Sequence, residues 1–299
     1  VLHTNLGRAP LPKAAIEQIC RVAGGYSSVE IDLETGRRGS RTALVEELLC
    51  ELTGAEAAAV VNNNAAGVLL TLNTLALGKE AVVSRGQLVE IGGSFRIPDI
   101  MSRSGATMVE VGTTNRTHLG DYQNALTERS GLLLAVHPSN YKVMGFSSEV
   151  SLSDLVGLGR RHGVPVAHDL GGGVLVDLRE YGLPYEPLVS DSVRAAADIV
   201  CFSGDKVLGG PQAGVLVGRR EAIEAIRQNP LMRSLRCGKL TYAALEATLK
   251  LYLNREKLAR AHPTLGMLTQ SMSSLRRRGR SLLRRLEGLG GRDFEASLE

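Results

Sequence analysis

A single lysine, Lys206, lies between two hydrophobic segments of the chain, within the stretch SGDKVLGGPQAG at residues 203–214. The flanking segments, DIVCFSGD (198–205) and AGVLVGR (213–219), have the apolar, β-branched composition of buried strands. A lysine at the end of a core strand either extends to water or has a lowered pKa and takes part in chemistry. Imine formation with pyridoxal phosphate is the commonest such chemistry, and an ion pair with Asp205 is the structural alternative.

Two further polar residues follow the same pattern. Asp169 ends the strand VPVAHDL and precedes three glycines, so its carboxylate can keep the pyridine nitrogen of such a cofactor protonated, or can cap the next segment. Ser203, three residues before Lys206, can donate a hydrogen bond to the cofactor's phosphate. His168 points to the opposite face of an ideal strand, so we expect it to pack rather than to act in catalysis.

An anion-binding turn is predicted where the strand AAAVVN (57–62) meets the apolar helix NNAAGVLLTLNTLA (63–76). The backbone amides of Asn64, Ala65 and Ala66 would lie at the positive end of the helix dipole, and their small neighbours let a phosphate approach. No Walker lysine follows, which argues against a nucleotide P-loop. An ordinary strand-to-helix junction is the alternative interpretation.

A regular alternation of strands and helices must position these residues. Strands are predicted at 81–84, 106–112, 131–137, 164–170 and 198–203, with helices near 94–104, 118–128, 151–162 and 183–197. This alternation predicts an α/β fold with a mainly parallel sheet, whose ligands bind beyond the carboxyl ends of the strands. The polar residues predicted at those ends are Asn63, Asn64, Ser84, Arg85, Thr113, Thr114, residues 137–140, His168 and Asp169.

Composition narrows the function classes. The 299 residues, 43% of them hydrophobic, are enough for one large α/β domain with a smaller appended part. With 4% aromatic residues and no tryptophan, the chain does not resemble a nucleic-acid binder that works by base stacking. The four cysteines form no CxxC pair, which signals neither a zinc site nor a disulfide framework and predicts a cytoplasmic location.

Three arginines are candidate site residues. Arg8 lies in the loop-like opening segment 1–12, where it is exposed or lines a site. Arg233 and Arg236 are three residues apart, so they share one face of a helical turn and predict forked recognition of an anion. A solvated basic surface is the alternative for this pair.

Long stretches of the chain resemble bacterial selenocysteine synthases, the L-seryl-tRNA(Sec) selenium transferases. The resemblance covers nearly the whole chain, and its motifs are long and specific. They are LHTNLGRAPL, VVNNNAAGVLLTLNTLA, SRGQLVEIGGSFRIPDIM, VGTTNRTHLGDY, SGDKVLGGPQAG and NPLMRSLR followed by KLTYAALEATLKLYL.

The resemblance implies a fold-type I pyridoxal-phosphate enzyme, similar to aspartate aminotransferase. We expect an N-terminal segment at 1–50, a large cofactor-binding domain at 51–228, and a partial C-terminal small domain at 229–299. The family's N-terminal tRNA-binding domain is not found, so we expect a chain truncated at both ends. Gln87 and Gly238 stand where acidic residues are expected.

Residue roles also follow from the resemblance. Lys206 corresponds to the lysine that binds the cofactor covalently, Asp169 to the partner of the pyridine nitrogen, and Asp205 to a residue of the catalytic motif. The remaining matches surround the anion pocket and are Arg8, Arg233, Arg236, Thr113 and Thr114. No metal site is implied.

The implied reaction converts L-seryl-tRNA(Sec) to L-selenocysteinyl-tRNA(Sec) with selenophosphate, through elimination of water to an aminoacrylate and addition of selenium. Family members form rings of dimers, so we expect a cytoplasmic homo-oligomer that binds seryl-tRNA(Sec), with no DNA or membrane partner. Two alternatives stay open. One is a related pyridoxal-phosphate ammonia-lyase acting on a small phosphorylated amino-sugar acid, and the other is a non-catalytic relative that binds tRNA.

Overall fold

The computed structural model describes residues 7–91, 95–139, 141, 143–287 and 296–298. The strands in these ranges are β1 (Ala57–Val61), β2 (Glu80–Ser84), β3 (Glu90–Ile91), β4 (Phe95–Arg96), β5 (Thr107–Val111), β6 (Ser130–Val136), β7 (Val166–Gly171), β8 (Ile199–Ser203) and β9 (Gly214–Gly218).

The helices lie before, between and after these strands along the chain, and they cover both faces of the main sheet. They are α1 (Lys13–Ala23), α2 (Ala43–Thr53), α3 (Asn64–Ala76), α4 (Ile97–Arg103), α5 (Leu119–Ala125), α6 (Leu152–His162), α7 (Val189–Arg194), α8 (Arg220–Gln228), α9 (Leu231–Leu235), α10 (Lys239–Tyr252), α11 (Arg255–Ala261), α12 (Pro263–Leu268) and α13 (Met272–Glu287).

Seven strands form one sheet in the order β1-β9-β8-β7-β6-β2-β5, and β3 pairs separately with β4. In the seven-stranded sheet, β9 runs antiparallel to both of its neighbours and the other pairings are parallel. The carboxyl ends of β1, β8, β7, β6, β2 and β5 therefore share one edge, which we call the strand-end edge. The predicted α/β fold with a mainly parallel sheet is confirmed.

Burial on both faces explains the apolar strand sequences. Along β8, Val200 and Phe202 join one core with α2, α6 and α10, whereas Ile199 and Cys201 join a second core with α3, α4 and α8. Successive side chains of a strand point to opposite faces, so a strand between two layers must be apolar throughout. The sheet is thus a rigid platform for residues at its edge.

The helix predicted at 183–197 is much shorter in the structure, where only Val189–Arg194 is α-helical. Pro184 and Pro187 explain the difference, because proline lacks an amide donor and disfavours helical backbone in the residue before it. Shortly after this helix, Ala196 has a φ of +61°, which is outside the helical range.

The C-terminal part of the chain packs against its N-terminal part. Helix α10 contacts both α1 and α2, and the backbone of Arg236 pairs with Val61 at the end of β1.

The division into segments at residues 50 and 228 stays a prediction. Among the described helices, none combines the length and the hydrophobicity needed to cross a bilayer.

Candidate active site

Lys206 lies in the turn that joins β8 to β9. Backbone hydrogen bonds close this turn on itself, from Gly204 to Ala213 (2.8 Å), from Gly210 to Gly204 (2.8 Å) and from Gly209 to Lys206 (3.0 Å). Gly209 has a φ of +72°, a conformation that glycine adopts without a steric cost. The sequence therefore places the lysine on a stiff turn at the strand-end edge, as predicted.

The amine of Lys206 faces β7. Its Nζ lies 3.9 Å from the point that a Cβ on Gly171 would occupy. Asp205 forms its ion pair with Arg8 (Oδ2 to Nε, 3.5 Å), and in the described part of the chain Lys206 has no carboxylate within 4 Å. The alternative of a structural ion pair between Lys206 and Asp205 is therefore not what the structure contains.

Burial sets the protonation of this amine. It lowers the pKa of Lys206, and the charge of Arg8 adds to that effect, while the nearby carboxylates of Asp169 and Asp205 oppose it. A lysine with a lowered pKa has a larger neutral fraction near neutral pH, and the neutral amine is the nucleophilic and basic form. Lys206 is thus suited to covalent chemistry or to proton transfer.

Asp169 is 5% exposed on β7, next to Lys206 across the strand-end edge. Its Oδ1 accepts a hydrogen bond from Asn64 Nδ2 at 2.8 Å. Burial raises the pKa of Asp169 to about 6, and the bond from Asn64 and the charge of Lys206 partly oppose the rise. At pH 7 or above, the carboxylate is mostly ionised and can hold a proton on a bound basic nitrogen.

The anion cradle is predicted at the start of α3. Asn63 caps the helix, and its side chain accepts the amide of Ala66 at 2.9 Å, so this amide already has a partner within the chain. The phosphate role of Ala66 stays a prediction. The first amides of a helix have no intrahelical acceptor, and within the described residues those of Asn64 and Ala65 have none elsewhere. Two amides at the end of a 13-residue helix remain available.

Close packing brings this cradle to the end of β8. Ser203 pairs with Gly214, and a Cβ on Gly214 would lie 2.1 Å from the carbonyl oxygen of Asn63. Only glycine permits that approach. Ser203 therefore lies near the helix terminus, and its role in binding the phosphate stays a prediction.

The predicted threonines lie to one side of Lys206 and Asp169. Thr113 and Thr114 follow β5, which is three strands away from β7 and so roughly 14 Å distant at the usual strand spacing. Thr113 Oγ1 donates to the carbonyl of Arg116 at 2.9 Å and stabilises its own turn. Within one chain, these two residues do not contact Lys206.

The paired arginines lie on the other side, beyond the end of β1. Arg233 is exposed on α9, and Arg236 follows that helix with Nη1 3.9 Å from Glu30. Glu30 also accepts from Arg41 at 2.9 Å, so a loop carboxylate supports this basic cluster. Arg8, 52% exposed, is the one arginine of the predicted set that is paired to the Lys206 turn.

Sequence reasoning assigned Asn64 only a backbone role and so missed its side-chain bond to Asp169. The predicted strand-end range 137–140 does reach the site, because the His137 amide donates to the Asp169 carbonyl (2.8 Å) and Ser139 lies beside Gly171. Asn140, like residues 1–6, lies outside the described residues. His168 points to the other face, where its Nδ1 is 2.8 Å from Ser192 Oγ.

These residues fit a cofactor that carries an aldehyde, a ring nitrogen and a phosphate. Lys206 can bind the aldehyde, Asp169 the protonated nitrogen, and the amides of Asn64 and Ala65 with Ser203 the phosphate. Asn64 Oδ1 is buried without a hydrogen-bond partner in the described structure, which indicates a missing donor at this site.

The family model and the curated relatives that match this chain name the same family. The family described as "SelA: L-seryl-tRNA selenium transferase" matches residues 1–299. Curated proteins named L-seryl-tRNA(Sec) selenium transferase match with 56% identity in Carboxydothermus hydrogenoformans and 59% in Nitratidesulfovibrio vulgaris, each over 96% of this chain and 61% of the relative. The relative from Geobacter metallireducens is 57% identical over 100% of this chain and 64% of its own length. The chain therefore spans less than two thirds of these relatives.

Solved structures agree on the fold. A D-glucosaminate-6-phosphate ammonia-lyase superposes with a TM-score of 0.66 at 23% identity, covering 83% of this chain and 65% of its own. A Thermus thermophilus aspartate aminotransferase mutant superposes with a TM-score of 0.60 at 19% identity, covering 95% and 72%. The predicted aspartate aminotransferase-like, fold-type I architecture is confirmed.

Proposed function

The chain belongs to the L-seryl-tRNA selenium transferase family, and on that basis we propose that it is the core of an enzyme that makes L-selenocysteinyl-tRNA(Sec) from L-seryl-tRNA(Sec). Selenophosphate is the proposed selenium donor. One observation carries the proposal: Lys206, whose amine has no ion pair in the described structure, lies beside the buried carboxylate of Asp169 at the strand-end edge.

Pyridoxal phosphate is the cofactor that the family and the fold support. When bound, it supplies an aldehyde for an amine and a ring that withdraws electrons from the α-carbon of an attached amino acid. Lys206 would hold the aldehyde carbon, and Asp169 would keep a proton on the ring nitrogen. The amides of Asn64 and Ala65 and the hydroxyl of Ser203 would hold the phosphate.

Lys206 would also move the proton of the seryl α-carbon. This role requires a neutral amine, and burial of the turn lowers the pKa of Lys206 in that direction. Asp205 is held by Arg8 and by the hydrogen bond from the Ala9 amide to its carbonyl (3.1 Å). The opening segment thus stabilises the turn that carries the base.

The arginines would bind the anionic substrates. Arg233 is exposed and Arg236 is half-buried on the same side of the strand-end edge, and guanidinium groups bind phosphate oxygens through paired donors. Selenophosphate is one such anion, and the terminal phosphates of a tRNA are others. A net charge of +4 is compatible with these partners.

The two alternatives have weaker support. The superposed ammonia-lyase shares 23% identity, which supports a common fold alone, whereas the relatives at 55–59% identity carry the selenium transferase name. A non-catalytic relative would have no need for a half-buried lysine that has no ion pair within the described residues, because an ammonium group is costly to desolvate. The selenium transferase reaction is therefore the function we propose.

The test has two stages. The chain is incubated with pyridoxal phosphate, reduced with borohydride and digested, and we expect the reduced adduct on Lys206 by peptide mass. Seryl-tRNA(Sec) and selenophosphate are then added to the unreduced complex, and selenium on the tRNA is measured. An adduct on another lysine would contradict the site, and an adduct on Lys206 with activity only on a free phosphorylated amino acid would favour the lyase.

A further inference from the structure

The Lys206 turn is held from behind by two buried side chains of the C-terminal helices. Tyr252, the last residue of α10, donates its hydroxyl to the carbonyl of Leu208 at 2.9 Å. His262, between α11 and α12, places Nε2 2.7 Å from the same carbonyl oxygen. Both side chains are at most 5% exposed. We call Tyr252 and His262 the turn clamp.

The hydrogen bonds of His262 fix its tautomer. Nδ1 accepts the backbone amide of Leu265 at 3.1 Å, so this nitrogen carries a lone pair. The proton of the neutral ring is therefore on Nε2, which donates it to the Leu208 carbonyl. Burial lowers the pKa of His262, which favours this neutral form. Two donors, one hydroxyl and one ring N–H, thus converge on a single carbonyl, and the hydroxyl oxygen of Tyr252 also lies 3.0 Å from Nε2 of His262.

The clamp also fixes the shape of the turn. A Cβ on Gly209 would lie 2.3 Å from the His262 ring, and Gly209 has a φ of +72°. The amide of Gly209 closes back onto the carbonyl of Lys206 at 3.0 Å. Movement of the His262 ring would therefore shift Gly209, and through the Gly209 amide it would shift the backbone of Lys206.

We propose that Tyr252 and His262 are positioning residues that hold Leu208 and Gly209 in place and thereby keep the amine of Lys206 facing Asp169. The proposal rests on the role proposed above for Lys206. It assigns the C-terminal helices a task in the active site, although neither clamp residue reaches the strand-end edge itself.

Helix α10 offers a matched control for this role. Tyr242 is also buried on α10, at 1% exposure, and its hydroxyl also donates to a backbone carbonyl, that of Val60 at 3.4 Å. That carbonyl belongs to β1 and not to the Lys206 turn. Tyr242→Phe and Tyr252→Phe each remove one buried hydroxyl from one helix, and only the second removes it from the clamp.

The experiment measures Lys206 in the chain without cofactor, tRNA or selenophosphate. Reductive methylation is followed by peptide mass across a range of pH, with the exposed Lys13 and Lys250 as internal references. Amide hydrogen exchange over residues 204–210 is measured in parallel. Failure of the proposed transferase reaction would leave these readouts unchanged, so the two proposals are tested separately.

In Tyr252→Phe, we expect exchange in the turn to become about threefold to tenfold faster, the factor expected for the loss of one buried hydrogen bond. We expect the labelling midpoint of Lys206 to rise, because a loosened turn exposes the amine and relieves the burial that lowers its pKa. The groups that face this amine, Asp169, Asp205 and Arg8, are unchanged in the variant. Tyr242→Phe should alter neither readout.

Equal effects in the two tyrosine variants would overturn the proposal, since they would indicate general packing. Faster exchange with an unchanged Lys206 midpoint would also overturn it, because the clamp would then hold backbone without positioning the amine. If Tyr252→Phe does not fold, His262→Gln is measured against the same control. Glutamine keeps an N–H donor, so a smaller midpoint shift than in His262→Leu is expected, and equal shifts would count against the clamp.

Discussion

Asp169 and Arg233 both belong to the predicted site, yet Asp169 is 5% exposed with a fixed side-chain partner and Arg233 lies exposed on a short helix. The same contrast separates the centre of the strand-end edge from its flanks. The centre consists of Lys206, Asp169 and the start of α3. Asp169 is hydrogen-bonded to Asn64 of α3, and the amine of Lys206 lies at the same edge, within the electrostatic influence of Asp169. The flanks carry the threonines that follow β5 and the arginines of the α9 region, which lie beyond the end of β1.

The contrast indicates two different tasks. A buried, connected centre is preorganised and loses little entropy when it binds a small, invariant cofactor. In the function proposed above, the exposed flanking side chains would become ordered only when the large anionic substrate binds. Arg8 links the two regions, because it is 52% exposed and still pairs with Asp205 in the Lys206 turn.

Removing the amine should give the largest effect. Lys206→Ala is expected to abolish the borohydride-reduced adduct and the associated visible absorbance while the fold is retained, because no other lysine faces Asp169 within the described residues. Lys250→Ala is the control, since Lys250 is 58% exposed and pairs with Glu246 one helical turn away. An unchanged adduct yield in Lys206→Ala would move the centre of the site elsewhere.

Replacing the buried carboxylate should give the next largest effect. Asp169→Asn is expected to weaken pyridoxal phosphate binding about tenfold to a hundredfold, the factor for one hydrogen bond to a charged group. Absorbance titration measures it. Removal of the carboxylate also removes a charge that raises the pKa of Lys206, so the labelling midpoint of Lys206 should fall, the opposite of the clamp variant.

The same substitution has a pH-dependent effect on the apo chain. The pKa of Asp169 is raised from 3.8 to about 6 in the folded state, so the native state binds this proton more tightly than the unfolded state. The stabilisation that results is present below pH 4 and lost as pH rises through 6. The free energy of unfolding of Asp169→Asn, relative to the parent, should therefore increase between pH 4 and pH 7, and a flat difference would refute the raised pKa.

Much of the centre follows from sequence because it depends on local chain order. A strand, a lysine and a glycine-rich turn predict Lys206, and the register of β7 predicts which face Asp169 occupies. Sequence reasoning did not predict that the side chain of Asn63 caps α3 and accepts the Ala66 amide, because this bond depends on the backbone geometry of the helix start.

The bond from Asn64 to Asp169 and the turn clamp could not be predicted in the same way. Asn64 and Asp169 are 105 residues apart, and His262 is 54 residues from Leu208, so only the three-dimensional fold brings them together. The positions of the flanking residues likewise depend on the order of the strands in the sheet. Thr113 and Thr114 follow a predicted strand, but sequence does not state that β5 lies at the edge of the sheet.

A flank substitution should leave the centre intact. Arg233→Ala is expected to spare the Lys206 adduct and to slow selenium transfer about tenfold, which corresponds to the loss of one exposed charged contact with the anion. Single-turnover transfer to seryl-tRNA(Sec) measures the rate. Arg255→Ala serves as the control, since Arg255 is 56% exposed and pairs with Glu180. An equal loss of cofactor affinity would assign Arg233 to the centre.

The smallest effect is expected at the residue that joins the two regions. Arg8→Ala removes an ion pair that is half exposed, which contributes at most about 1 kcal/mol to stability. It also removes a positive charge that lowers the pKa of Lys206, so the labelling midpoint of Lys206 should rise slightly. Arg219→Ala is a matched control, because Arg219 is 55% exposed and pairs with Asp198 at the opposite edge of the sheet. If both variants leave the labelling midpoint of Lys206 unchanged, Arg8 belongs with the flanks and its proposed role is limited to the substrate. A rise confined to Arg8→Ala would show that the opening segment tunes the amine as well as bordering the anion site.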